Sequence, residues 1–89
     1  MTELETTLRE ALAREPSVVR AFWDAEEPRL TVALDDVGRR AEDYLRTTQR
    51  VSQLVMPALG PARASLACGP EYGVMPTVRG VAIYEREPS

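Results

Sequence analysis

At Pro16 the hydrophobic repeat of this chain changes period, and that change most narrows the folds open to it. Before it, Leu4, Leu8, Ala11 and Leu12 recur at helical spacing and form one narrow apolar stripe. After it, Val19, Ala21 and Trp23 alternate with Val18, Arg20 and Phe22, and Leu30, Val32 and Leu34 alternate with Thr31 and Ala33. A period of two puts alternate side chains on opposite faces of a strand. A helix followed by strands within 89 residues predicts a single α+β domain spanning residues 1–89. A chain of this size buries about 60–65% of its unfolded surface, enough for one modest core.

Local signals set the boundaries. Thr2 with Glu5 three residues on fits a capping box at the start of the first helix. Glu5–Arg9 and Glu10–Arg14 are acid-before-base pairs that suit its outer face. Pro16 ends the helix near Arg14. The polar stretch Asp24 to Pro28 reads as the turn of an antiparallel hairpin between the two alternating segments. Asp35 or Asp36 caps a long second helix from about Val37 to Met56, with Ala41, Tyr44, Leu45, Thr48, Val51, Ser52 and Val55 facing inward. Pro57, Gly60 and Pro61 close it. Two more strands follow, Ala62 to Cys68 and Val78 to Arg86, with a Gly- and Pro-rich loop over 69–76. The expected order is αββαββ: a four-stranded antiparallel or mixed sheet with two helices packed on one face.

Composition then removes most chemistry. There is no His, no Lys and no Asn, and one Cys. A Ser–His–Asp triad, a Cys–His dyad, a His-containing zinc site, a lysine Schiff base and a complete phosphate-binding P-loop are therefore excluded. So are an internal disulfide and an iron–sulfur site built by one chain. No cofactor is expected. The charge is uneven: residues 1–36 carry nine acids and four Arg, for −5, and residues 37–89 carry five acids and seven Arg, for +2. A net charge of −3 without a concentrated basic face argues against a nucleic-acid partner. The acidic opening, Met1-Thr2-Glu3-Leu4-Glu5, is unlike a signal peptide, and the longest uncharged run, Val51–Ala62, is too short for a membrane span of about 20 residues. A cytoplasmic location with no membrane partner is the expectation.

The remaining polar groups are dispersed. Asp24, Glu26 and Glu27 lie at one end of the first hairpin and Asp35 and Asp36 at the other, roughly 17 Å away at ~3.4 Å per residue. They read as a solvated turn and a helix cap. Arg39, Arg46 and Arg50 line one side of the second helix with Asp43 between them and Arg40 nearby, a face that suits local ion pairs or an anion. Cys68 ends a strand with no group to activate it and reads as a small buried residue. Trp23 borders an acidic turn, while Tyr72 and Met75 stand in the 69–76 loop. These are residue types and places that suit a protein-interaction surface, with a core position the plainer role for Trp23.

Residues 15–25, Glu-Pro-Ser-Val-Val-Arg-Ala-Phe-Trp-Asp-Ala, the strand Arg29–Leu34, the long helix and the closing Val81-Ala82-Ile83-Tyr84-Glu85-Arg86 together resemble the C-terminal domain of the SseB (enhanced serine sensitivity) family. The matching positions are Glu15, Pro16, Val18, Ala21, Phe22, Tyr84 and Arg86. The resemblance covers residues 16–86 with the Glu before them, leaves 1–15 as an added N-terminal helix and 87–89 as a tail, and implies a bacterial cytoplasmic domain without catalysis. The family carries this domain behind another one. A chain lacking that neighbour is expected to cover the freed surface by homodimerisation or with a separate protein. The expected function is thus a non-catalytic interaction module. The alternative is a sensor of an amino acid or other metabolite, with a pocket between the second helix and the sheet lined by Tyr44, Trp23 and Arg46 or Arg50.

Overall fold

The computed structural model describes residues 2–35 and 40–87. Its elements are α1 (Glu3–Leu12), β1 (Val18–Asp24), β2 (Arg29–Leu34), α2 (Ala41–Leu59), β3 (Ser65–Pro70), a short α3 (Glu71–Val74) running into a 3-10 turn at Met75–Thr77, and β4 (Val81–Glu85). The fold is α+β with a mixed sheet in the order β3-β2-β1-β4. β1 pairs antiparallel with β2 and with β4, and β2 pairs parallel with β3. The last two strands therefore do not pair with each other; they form opposite edges of the sheet.

One face of the sheet makes the core. Ala21, Trp23, Leu30, Val32, Leu34 and Ile83 are buried beneath Leu8 and Leu12 of α1 and Val51, Val55 and Leu59 of α2. Fully burying a leucine or valine contributes about 1.5–3 kcal/mol each, and this layer holds most of the large ones. The Thr2 hydroxyl accepts from the Glu5 amide at 3.2 Å, one half of the capping box that its spacing predicted. Arg9 does more than decorate an outer face: its Nε donates to the Ile83 carbonyl at 2.9 Å and fastens α1 to β4.

Two bulges alter the alternation read from the sequence. The register slips between Val18 and Arg20, which puts Val18 rather than Val19 in the core. It slips again opposite Ala21 and Phe22, so Ile83 is buried while its neighbour Tyr84 also packs on the core.

Helix α2 buries Val51 and Val55 and packs Tyr44 on the core as expected, and differs at both ends and along one edge of that face. Its N-cap is Arg40, whose amide donates to Asp43 Oδ2 at 3.0 Å. Asp35 instead donates its amide to the Ser17 carbonyl at 2.8 Å, and Asp36 lies outside the described residues. Pro57 sits inside the last turn instead of ending the helix, which closes at Gly60 with its amide on the Met56 carbonyl at 2.8 Å. The buried row is Thr47, Val51, Val55 and Leu59, a four-residue spacing. Ala41 and Leu45, expected inward, are exposed.

The segment expected as a plain loop is ordered and crosses the second face of the sheet. Val74 packs where a side chain on Gly69 would begin, 3.4 Å from that position. Gly69 is paired with Ala33, which is fully buried although it points away from Trp23 and Val32. The crossover α2 carries the chain outward from β2 to β3 on one face. The return from β3 to β4, also between parallel strands, must use the opposite face if both crossovers keep the same hand.

Candidate functional site

The second face carries a shallow, open concavity. Arg20 of β1, Glu71 and Tyr72 of α3, and Met75 and Pro76 of the 3-10 turn line an open groove of about 510 Å³. Each is placed by a local rule. Arg20 lies on the face opposite Ala21 by strand alternation, and Pro70 at the N-cap with Glu71 after it begins α3. Arg20 Nε stands 3.5 Å from Glu71 Oε2, and its Nη2 is 3.9 Å from Glu85 Oε1. The two facing atoms, Nε and Oε2, are shut off from water, and neither has a hydrogen-bond partner. Tyr72 stands above them, 69% exposed. Beside this groove, Glu27, Arg29, Pro76, Val78 and Arg79 line a more polar one of about 430 Å³, in which Arg29 Nη2 meets Glu27 Oε2 at 3.0 Å.

A second polar group gathers at the end of the sheet where β1 begins. Glu15, 7% exposed, accepts from Arg50 Nε at 3.0 Å and from the Ser17 amide at 3.3 Å. Arg50 Nη2 also donates to the Thr47 hydroxyl at 3.2 Å. The Arg50 hydrogen bonds hold the Glu15 carboxyl below its ordinary range, against burial that acts to raise it, and Glu15 in turn raises Arg50. Nearby, Arg86 Nη1 donates to the Pro16 carbonyl at 3.0 Å and reaches Asp35 Oδ2 at 3.4 Å. These groups bind chain segments to each other. Their chemistry is consumed in holding the entry to β1.

The structure brings Tyr72 and Met75 into one groove and separates them from Trp23. Trp23 is 5% exposed in the core, so its expected place on an interaction surface is corrected: it faces Leu30 across the hairpin, on the side that α1 and α2 cover. The ligand pocket expected between α2 and the sheet is also corrected. Tyr44 packs against the same core, Arg50 turns to Glu15, and Arg46 is exposed on the outer side of α2. Arg39 lies outside the described residues. Among the described residues the acids form no group able to hold a metal ion. Cys68 is half-buried, and burial pushes its thiol up, with the nearby Thr48 hydroxyl opposing.

Arg20 and Glu71 were not singled out by sequence. They are 51 positions apart, and only the return crossover on the second face brings them together. The one signal was a charged Arg within the otherwise apolar Val18–Trp23 run. Compared with family models, with curated proteins and with solved structures, the chain matches none.

Proposed function

We propose that this protein is a non-catalytic protein-interaction module that associates with itself, a bacterial cytoplasmic domain related to the SseB C-terminal type. One observation carries the reading: large apolar side chains stand in water on regular elements. Tyr72 of α3 is 69%, Val81 of β4 64%, Leu45 of α2 61% and Met56 of α2 42% exposed. An aromatic held on a pinned helix loses little entropy when a partner covers it, which is how hot-spot residues gain affinity. Light scattering from low to high micromolar concentration tests the self-association. A mass rising to that of a dimer is expected, and a strict monomer throughout removes it.

A second reading has its own observation. Arg20 and Glu71 pair at the floor of an open groove, and the rest of each side chain, 43% and 40% exposed, offers it a cation and an anion side by side. A zwitterionic amino acid would offer a carboxylate to the one and an ammonium to the other. A thermal-shift series with amino acids is the test; stabilisation lost in Arg20→Gln supports a sensor, and no stabilisation by any of them rejects it.

A further inference from the structure

We infer that a second copy of this chain adds its β3 to the open edge of β3, antiparallel, about a two-fold axis through Ala67, so that one sheet continues across both copies. The inference deepens the self-association proposed above and rests on it.

The backbone shows which groups are open. The Ser65 amide donates to the Pro28 carbonyl of the neighbouring strand at 3.0 Å. Ser65, Ala67 and Gly69 therefore turn their backbone groups toward β2, and Leu66 and Cys68 turn theirs outward. The two edges of the sheet are unlike. β4 is bulged and ends in Glu85, followed by Arg86 and Glu87, features that discourage pairing. β3 is Ser-Leu-Ala-Cys-Gly-Pro, without a charge and in unbroken register with β2.

The register follows from Pro70. An axis normal to the sheet must set residues of like face opposite each other. Centred on Ala67, it places Leu66 against Cys68 of the second copy, and every outward amide and carbonyl of these residues finds a partner. Centred on Cys68, it would place Leu66 against Pro70, which has no N–H to return.

Helix α2 selects the same axis independently. α2 packs on β3, where Cys68 meets the core that holds Val51 and Val55, and Thr48 is near enough to the Cys68 thiol to act on it, so this flank of α2 overlies the β3 edge. At about 100° per residue Leu45 and Met56 lie within about 20° of each other on the same flank. Gln49 and Ser52 lie between them, and none of these is charged. The midpoint between Leu45 and Met56 is about 4 Å beyond Thr48 at ~1.5 Å per residue. α2 runs opposite to β3, so that shift leads back from Cys68 by about one strand residue of ~3.4 Å, to Ala67. A two-fold through Ala67 thus also sets Leu45 against Met56 of the second copy.

Two variants test this in the full chain. With Cys68→Ala removing the native thiol, Ala67→Cys should oxidise to a disulfide-linked dimer at low micromolar concentration. The reason is that residues at the centre of such a pair have Cα atoms about 4.5 Å apart, within disulfide range. Leu45→Glu should weaken dimerisation by about tenfold or more, a penalty of ~1.4 kcal/mol, and Met56→Arg added to it should restore most of that by supplying the opposite charge across the axis. Trp23 fluorescence confirms that each variant is folded. A dimer that neither cross-links through Ala67→Cys nor responds to Leu45→Glu overturns the β3 interface while self-association stands. So does a dimer dissolved by Tyr72→Ala with Met75→Ala. A monomer at every concentration overturns both.

Discussion

Glu15 and Arg50, 35 residues apart, meet at 3.0 Å and tie the turn after α1 to the middle of α2. Because the pair lowers the Glu15 pKa in the fold, its contribution has a definite pH dependence. A carboxyl depressed below its ordinary 4.5 stabilises fully above that value and loses the contribution as pH falls through the folded pKa. Arg50 is half in solvent, so screening limits the effect. We expect Glu15→Gln to lower the melting temperature by a few degrees at pH 7. The gap to wild type should close on acidification below the ordinary carboxylate range. A gap unchanged down to strongly acid pH would show that Glu15 acts through packing alone.

Gly80 is the position where the backbone leaves no choice. Its φ is +97°, and an added Cβ would lie 2.2 Å from the Trp23 carbonyl oxygen and 2.5 Å from its carbon. Both obstacles are main chain and cannot swing aside. Gly80→Ala should cost about 3 kcal/mol or more, from left-handed strain and the clash together. Gly73, inside α3, has only ordinary contact at 3.5 Å with the Pro70 ring. Gly73→Ala should therefore be neutral or gain a few tenths of a kcal/mol from helix propensity, at roughly 1 kcal/mol at most. Urea unfolding followed by Trp23 fluorescence separates the two, and equal midpoints would contradict the assignment.

How far the sequence could be read depended on how local each cause was. The Thr2 cap, the β1–β2 hairpin and the period change at Pro16 are decided within a few residues, and each was legible. The α2 face was legible through Tyr44, Val51 and Val55 but not at its edge, because Leu45 and Leu59 are alike in sequence and only the packing partner distinguishes them. The bulges at Val19 and Ile83 were hidden for a related reason: they arise from pairing with other strands. At the site, Tyr72 and Met75 stood out as apolar groups in a Gly- and Pro-rich stretch. Their neighbour Arg20 did not, because the sense of the return crossover decides that juxtaposition.

Cys68 should behave as a slow thiol. It is half-buried beneath Thr48, and burial raises its pKa, so the reactive thiolate is scarce near neutral pH. Labelling with an aromatic disulfide reagent at pH 8 should be at least about tenfold slower in the native protein than in urea, and should accelerate across the unfolding transition. Fast labelling of the native protein would mean that the β3 end of the core opens readily.

The edge of the buried face of α2 makes the last comparison. Leu59 is fully buried against the sheet, whereas Leu45, a residue that periodicity alone turns inward, is 61% exposed. Removing the Leu59 side chain takes apolar surface out of the core and leaves a cavity between α2 and the sheet. Leu59→Ala should cost about 2–5 kcal/mol. Leu45→Ala removes a side chain already in water and should change the stability of the dilute protein by less than about 0.5 kcal/mol. Both follow from urea unfolding at low micromolar protein, where association contributes least. If Leu45→Ala proved the costlier of the two, α2 would be turned so as to bury Leu45, and the flank assigned to the second copy would be lost with it.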